Sequence, residues 1–440
     1  MQIILNPERK EWAKLLQRPY YDNGSVLQAV QTILNEVKQK GDLALKQFSK
    51  EFDSVSINEF KVSEGEIEAA GSGLSLKLKD AIQQAKKNIE TFHAAQVEKT
   101  PTIETMPGVQ CWRKTVAIEK AGLYIPGGTA PLFSTVLMLA IPAHIAGCKE
   151  IILCTPCDKK GKINEAILYA AKECGISSIF KIGGAQAIAA MAYGTETIPA
   201  VYKIFGPGNQ YVTAAKQLVQ MQGIAIDMPA GPSEVCVLAD ESANASFVAA
   251  DLLSQAEHGP DSQVLLVSTS EELVQQVKAE VGKQLTELPR KEIAQKVLAN
   301  SKAVIVSNIM DGIDMVNEYA AEHLILCCQL ADSVTEQIYN AGSVFIGNYS
   351  PESVGDYASG TNHTLPTNAF ARAYSGVSVD SFVKKITFQK LSKEGLENIS
   401  TTVIEMAEAE GLKAHANAVR VRTASPNPSG GGASLRTTLA

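Results

Sequence analysis

The sequence predicts an α/β fold: two Rossmann-like parallel-sheet domains with a small N-terminal arm and a helical C-terminal appendage. Three observations predict it. The chain has 440 residues, more than one hydrophobic core usually organises. From Ala121 onward, short apolar runs of strand length alternate with helical runs, the texture of parallel strands covered by helices on both faces. Glycine-rich turns also fall where a strand hands over to a helix, three times between Tyr124 and Asn209.

The elements follow in order. Residues 1–23 read as a short strand and a helical arm. Val26, Val30, Ile33, Leu34 and Val37 share one helical face that Gly41 ends, and a second amphipathic helix is expected over 75–96. The first sheet takes strands at 123–125, 151–154, 178–182 and 202–205, with helices near 134–147, 163–174 and from Asn209 to about 222. The second takes strands at 235–238, 264–267, 303–306, 324–327 and 343–346, with helices at 244–257, 271–285 and 311–321. These boundaries suggest a first α/β domain made of 24–123 and 235–377, a second at 124–234, a helical appendage at 378–423 and a disordered tail at 424–440. The tail contains Pro426, Pro428 and Gly430-Gly431-Gly432, too polar and glycine-rich to pack.

Composition excludes some classes. A net charge of −7 argues against a general nucleic-acid binder, which carries a basic face. The longest apolar stretch, Pro131 to Gly147, is broken by Ser134, Thr135, Pro142 and His144 and is too short for a membrane span. The first residues lack the order of a signal peptide, so a cytoplasmic location is expected. The eight cysteines sit mostly in apolar runs and read as reduced core residues. Cys154-Thr155-Pro156-Cys157 is a single C-x-x-C without the second pair that a zinc site of this type uses.

The glycine turns at 126–128, 183–186 and 206–209 lie where open α/β sheets bind ligands. Glycine lets backbone N–H groups approach a phosphate at a helix N-terminus. Tyr124, Gln186 and Asn209 are the aromatic or polar groups there. None of the turns is the G-x-G-x-x-G fingerprint, so a nucleotide cofactor and a mere tight turn both remain open.

The chain has six histidines, and four of them lie in polar clusters. Gln255 and His258, three apart at a helix end, share a face and can point at one ion; the alternative is a cap or surface pair. Asp356 is expected in a loop past the strand at 343–346, with His363 close behind it, and Glu410 and His415 form a last cluster. Imidazole, carboxylate and amide suit a borderline cation such as Zn2+ better than Mg2+. Glu322 and His323 are neighbours at a helix-to-strand junction and could divide proton transfers between substrate and water; the alternative is a helix-end histidine beside a solvated glutamate. His93 is expected to be exposed among polar neighbours, and His144 to be a core histidine on an apolar helix. Asp227 and Glu234, which flank Ser233, read as structural.

Together these segments resemble histidinol dehydrogenase. The likeness is carried by Gly122-Leu123-Tyr124-Ile125-Pro126-Gly127-Gly128, Gly183-Gly184-Ala185-Gln186-Ala187, Phe205-Gly206-Pro207-Gly208-Asn209 and Asp227-Met228-Pro229-Ala230-Gly231-Pro232-Ser233-Glu234. It continues in Asp251-Leu252-Leu253-Ser254-Gln255-Ala256-Glu257-His258-Gly259, Ala321-Glu322-His323-Leu324 and the segment 351–366. It spans about residues 20 to 422 and leaves out the tail.

The resemblance implies a zinc-dependent, NAD-linked, four-electron oxidation of L-histidinol to L-histidine through the aldehyde. It implies Gln255, His258, Asp356 and His415 as Zn2+ ligands, and Glu322 and His323 as the acid/base pair. It implies Ser233, His363 and Glu410 as substrate contacts beside the zinc ligands and His323, and Tyr124, Gln186 and Asn209 as NAD contacts. It also implies a homodimer with shared active sites. Rival readings are a zinc-dependent hydrolase of a small substrate, a nucleotide-binding sensor without catalysis, and oxidation of a different amino alcohol.

Overall fold

The computed structural model describes residues 1–18, 24–98, 100–127, 131–229 and 231–424. The turn residue Gly128 and the proposed tail from residue 425 onward lie outside them. There are two compact units: Met1–Val97 with Ala117–Val383, and Glu98–Val116 with the chain from Lys384 onward.

The first unit holds two all-parallel sheets. The five-stranded sheet is built from β4 (Lys120–Tyr124), β5 (Glu150–Thr155), β6 (Ser178–Lys181), β7 (Lys203–Phe205) and β8 (Ala225–Ile226), in the order β6-β5-β4-β7-β8. The six-stranded sheet has β1 (Gln2–Leu5), β9 (Glu234–Ala239), β10 (Gln263–Ser268), β11 (Lys302–Ile305), β12 (His323–Cys327) and β13 (Ser343–Ile346), in the order β1-β11-β10-β9-β12-β13. The N-terminal arm thus supplies an edge strand, and Trp12 and Leu16 beyond it are buried against this sheet.

Both sheets bury both faces, and the two-residue period of a strand divides their side chains cleanly. In the five-stranded sheet Ile152, Cys154, Phe180 and Ile204 face one core, while Leu123, Leu153, Ile179 and Phe205 face the other. In the six-stranded sheet Val235, Val237, Leu266 and Ile325 face one side; Cys236, Leu238, Leu265 and Leu324 face the opposite one. Continuous apolar strands are what two covered faces require.

Some expectations are corrected. The apolar faces of the helices Gly24–Lys40, Asp42–Phe52 and Leu76–Ala94 join the two cores of the five-stranded sheet and its covering helices, and Leu76–Ala94 also meets the later segment, where Asn88 donates to the Ala358 carbonyl at 2.7 Å. His93 is buried, because Ile82, Ala85, Ile89 and His93 recur at helical spacing on the covered face; its Nδ1 donates to the Ile89 carbonyl at 2.9 Å. His144 is exposed, because the helix Phe133–Ala146 buries its side chains only as far as Ala143.

The second unit carries a three-stranded sheet, β14-β3-β2, from β2 (Ile103–Met106), β3 (Val109–Ala117) and β14 (Val383–Leu391). The appendage is therefore not wholly helical. Ile386 and Phe388 alternate with polar residues at strand period, and Trp112 stacks on Phe388 with ring centroids 5.4 Å apart. The helices Lys393–Ala409 and Lys413–Thr423 complete the unit. Among the described residues no helix is long and apolar enough to cross a membrane.

Candidate active site

The five-stranded sheet opens a cleft of about 890 Å³ whose lining includes Tyr124, Gly127, Pro156, Gly184, Gln186 and Asn209. Strand order departs in both directions from β4, so the cleft lies at the carboxyl ends of strands around a topological switch point, where α/β sheets bind ligands. The three residues expected to contact a dinucleotide therefore share one wall system. Tyr124 ends β4, and its hydroxyl accepts from the Gly184 N–H at 3.1 Å; burial pushes the phenol up to about 12. Asn209 caps the helix Gln210–Gln220, its Oδ1 accepting from the Tyr211 and Val212 N–H groups. Its amide nitrogen is the polar group left for a ligand.

Gly206 is required by geometry. Its φ is +126°, and a Cβ there would overlap the Tyr124 carbonyl oxygen. The turn is pinned by a buried ion pair: Asp227 accepts from the Gly206 N–H at 2.8 Å, and Lys216, paired with Asp227, donates to the Gly206 carbonyl at 2.9 Å.

Pro131 lines the cleft, and the helix beginning two residues later brings Thr135 to His363, Oγ1 to Nε2 at 3.0 Å. That contact links the cleft to a second cluster. His363 Nδ1 donates to the Asp356 carbonyl at 2.8 Å, which leaves Nε2 to accept from Thr135. Desolvation lowers the His363 pKa. Asp356 sits on the short helix Glu352–Tyr357, not in a loop. Its carboxylate lies 3.3 Å from His323 Nε2, and His363 and His258 also act on its charge. His258 stands just past the helix Ala245–Ala256, and the protein packed around its ring lowers its pKa by desolvation.

Glu322 and His323 are both buried, so the solvated-glutamate alternative fails. His323 Nδ1 donates to the Glu234 carbonyl at 3.1 Å, which fixes the tautomer and turns Nε2 toward Asp356. Burial disfavours the charged ring, but Glu322 and the hydrogen bond to Asp356 outweigh it and raise the pKa. Glu322 Oε2 accepts from the Glu234 N–H at 2.8 Å and lies 3.7 Å from His323 Nδ1; burial raises its pKa. Two acids missed by the sequence reading stand behind them. Glu352 is buried and accepts from the Ser254 hydroxyl at 2.7 Å, and burial pushes it up to about 7. Asp251, one helical turn before Gln255, is likewise pushed up to about 7. Both lie inside segments that carry the family likeness, but no local pattern singles either of them out.

Gln255 is fully buried, and among the described residues neither its Oε1 nor its Nε2 has a hydrogen-bond partner. An unsatisfied buried amide is costly, and a cation ligated by Oε1 would satisfy half of it. Amide, imidazole and carboxylate are a donor set suited to Zn2+. Among the described residues no three His, Cys, Asp or Glu side chains are placed to hold an ion; His258 and Asp356 supply two of that kind and Gln255 a donor of another. Ser233 is half-buried and directly precedes β9. Glu410 and His415 belong to the second unit, at the end of one helix and the start of the next, and both are exposed. The Cys154 and Cys157 thiols are unpaired, and burial raises both, so that C-x-x-C stays a reduced core feature.

A cofactor-sized cleft at a strand-order switch, joined through one helix to a histidine–carboxylate cluster, defines an α/β enzyme that couples cofactor binding to proton transfer. Comparison with known proteins narrows the class. Residues 16–423 match the histidinol dehydrogenase family profile. The histidinol dehydrogenases of Bacteroides thetaiotaomicron and Bacteroides fragilis are 58% and 59% identical over 422 residues, 96% of this chain and 99% of theirs. The crystal structure of histidinol dehydrogenase from Elizabethkingia anophelis superposes with a TM-score of 0.94 at 56% identity, covering 96% of this chain and 98% of that one. The chain belongs to the histidinol dehydrogenase family.

The Asp251 carboxyl yields a stability prediction. Unfolded, an aspartate titrates near about 3.9; folded, this one titrates at about 7. Between those values the folded chain holds a proton that the unfolded chain has released. Its contribution therefore falls as pH rises through that window, by up to about 4 kcal/mol. Asp251→Asn should match the wild type at pH 4 and exceed it in urea midpoint at pH 8. Equal midpoints at both pH values would show an ordinary aspartate.

Proposed function

We propose that this chain oxidises L-histidinol through the aldehyde to L-histidine, passing four electrons to two NAD+, with Zn2+ in the site and sites shared across a homodimer. The observation that carries this reading is the pairing of Glu322 and His323 on the backbone of one residue, Glu234, together with a buried Gln255 amide that has no partner among the described residues. The family membership fits it. A hydrolase would need the acid and the cation but no cofactor cleft, so the cleft around Tyr124, Gln186 and Asn209 favours the redox reading.

Gln255, His258 and Asp356, with His415 of the partner subunit, would hold the metal; Tyr124, Gln186 and Asn209 would hold the dinucleotide. When bound, Zn2+ orients the imidazole and amine of the substrate, and NAD+ accepts hydride. Ser233 and His363, with Glu410 of the partner subunit, would contact the substrate beside those ligands. His323, its tautomer set by Glu234, takes the hydroxyl proton at Nε2 during the first oxidation. With its pKa raised by Glu322 and Asp356 the ring keeps its own proton, and positive charge resting on Asp356 would lower that pKa and free Nε2 to act as the base. Glu322 takes a proton from the water that adds to the aldehyde, after which the second hydride can leave. Burial keeps the reactive aldehyde from bulk solvent between the two steps.

Three outcomes test the reading. With histidinol and NAD+, the protein should generate NADH absorbance that a chelator abolishes, and His323→Ala should lower kcat by at least about 100-fold while zinc content holds; parallel loss of both would contradict its role. Glu322→Gln should impair oxidation of the aldehyde far more than that of the alcohol, and the reverse order would remove it as the water-activating base. Mixing His415→Ala and His323→Ala chains should regain activity in hybrid dimers, because one of the two shared sites is then intact; no recovery would mean each site lies within one subunit.

A further inference from the structure

We propose that Arg18, delivered by the N-terminal arm, is a positioning residue for the proton-transfer pair: it holds Glu234 in place, and Glu234 in turn holds both Glu322 and His323. The proposal rests on the reading of Glu322 and His323 as that pair.

The contacts form one connected clamp. The Arg18 guanidinium grips the Glu234 carboxylate with two donors, Nε on Oε1 and Nη2 on Oε2, the latter at 2.7 Å. The side chains are 12% and 1% exposed, and planar bidentate pairing is a geometry that lysine cannot reproduce. The same Nη2 donates to the Tyr319 carbonyl at 2.8 Å, with a longer contact to Ala320, and the guanidinium carbon lies 4.1 Å from the Tyr319 ring centroid. Ala320 sits at φ +53°, a left-handed backbone that alanine adopts only under constraint, two residues before Glu322. Arg18 therefore braces the strained turn leading into the pair from one side. From the other side it fixes the residue whose N–H binds Glu322 and whose carbonyl binds His323. The remaining donor on Glu234 Oε1 is the Asn368 N–H at 3.0 Å.

Among the described residues Arg18 touches neither the proposed metal ligands nor the cleft residues, so its loss should move the acid/base pair and leave ligand binding alone. Misplacement of reacting groups by about an ångström costs about 100-fold in rate. Arg18→Ala should lower kcat about 10- to 100-fold, with KM for histidinol and NAD+ within about twofold and zinc content unchanged. Millimolar guanidinium chloride should restore part of that kcat, and urea, similar in shape but uncharged, should not. Arg18→Lys keeps the charge and loses the fork, so it should fold with a near-wild-type melting temperature and show an intermediate kcat. Combining Arg18→Ala with Glu234→Gln should be no worse than either alone, because both break one clamp.

Wild-type kcat in Arg18→Lys, a loss carried by KM, or equal rescue by urea would overturn the proposal. If Arg18→Ala does not fold, the Arg18→Lys kcat and melting temperature decide it. Turnover surviving in His323→Ala would instead sink the underlying reading. A dead His323→Ala beside fully active Arg18 variants would sink the clamp alone.

Discussion

Buried negative charge is the constraint around which this site is built. Glu234, Asp251, Glu322 and Glu352 are all buried, and Asp356 is half-buried beside them. Ionised carboxylates out of water are tolerated only when paired, protonated or metal-bound. Each acid meets that demand differently. Glu234 takes a guanidinium from a segment 216 residues away in sequence. Asp356 has His323 against one oxygen. Asp251 and Glu352 hold protons more tightly because burial raises them. The neighbourhood is thus poised to gain positive charge. The Gln255 amide, buried on the helix that also carries Asp251 and without a partner among the described residues, is a neutral donor that would accept a cation without adding to the negative total.

The two sheets use opposite ends for opposite purposes. The five-stranded sheet offers its carboxyl ends around β4 and β7 to a ligand, as open α/β sheets do. The six-stranded sheet carries the proposed proton-transfer pair at the amino ends of β9 and β12, where Glu234 and His323 are the first strand residues. Strand order also reverses between those two strands. There, however, the carboxyl-end turn is occupied by Asp240, which accepts from Ser242 and from the Gln329 N–H at 2.9 Å. The amino end supplies a backbone N–H that lies outside the ladder, and Glu322 takes it. The helix Phe133–Ala146 starts at the cleft wall and presents Thr135 to His363, so the two ends meet at one place.

Much of the fold was legible because its strands are short, apolar and bounded by glycine, and the alternation of helix and strand from Ala121 to Ile346 matches the observed elements closely. The strands β2, β3 and β14 escaped because they are largely exposed, so no apolar run marks them. His93 was misjudged because a period of 3.6 was not carried from Ile82 through Ile89 to it. Of the site, Glu322, His323, His258, Asp356 and the cleft residues stood out as candidates because scarce residue types recurred in polar clusters, but their roles came only from the family likeness. Arg18, Thr135 and Glu352 could not be. Each acts through a contact between residues 98 or more positions apart, and nothing in a single sequence orders such pairs.

A further feature answers a geometric difficulty. Adjacent residues on a strand point to opposite faces, yet the roles proposed for Glu322 and His323 bring both to one reacting carbon. The strand begins only at His323, and the left-handed Ala320 turns the chain just before it. Glu322 therefore escapes the strand's alternation and swings back to the Glu234 N–H, while His323 reaches the carbonyl of that same residue. One peptide neighbourhood on β9 thus gathers two side chains that β12 alone would have sent apart, and their 3.7 Å approach is the consequence. A conventional helix-to-strand junction, with alanine in the right-handed region, would carry the same two residues and separate their functional atoms.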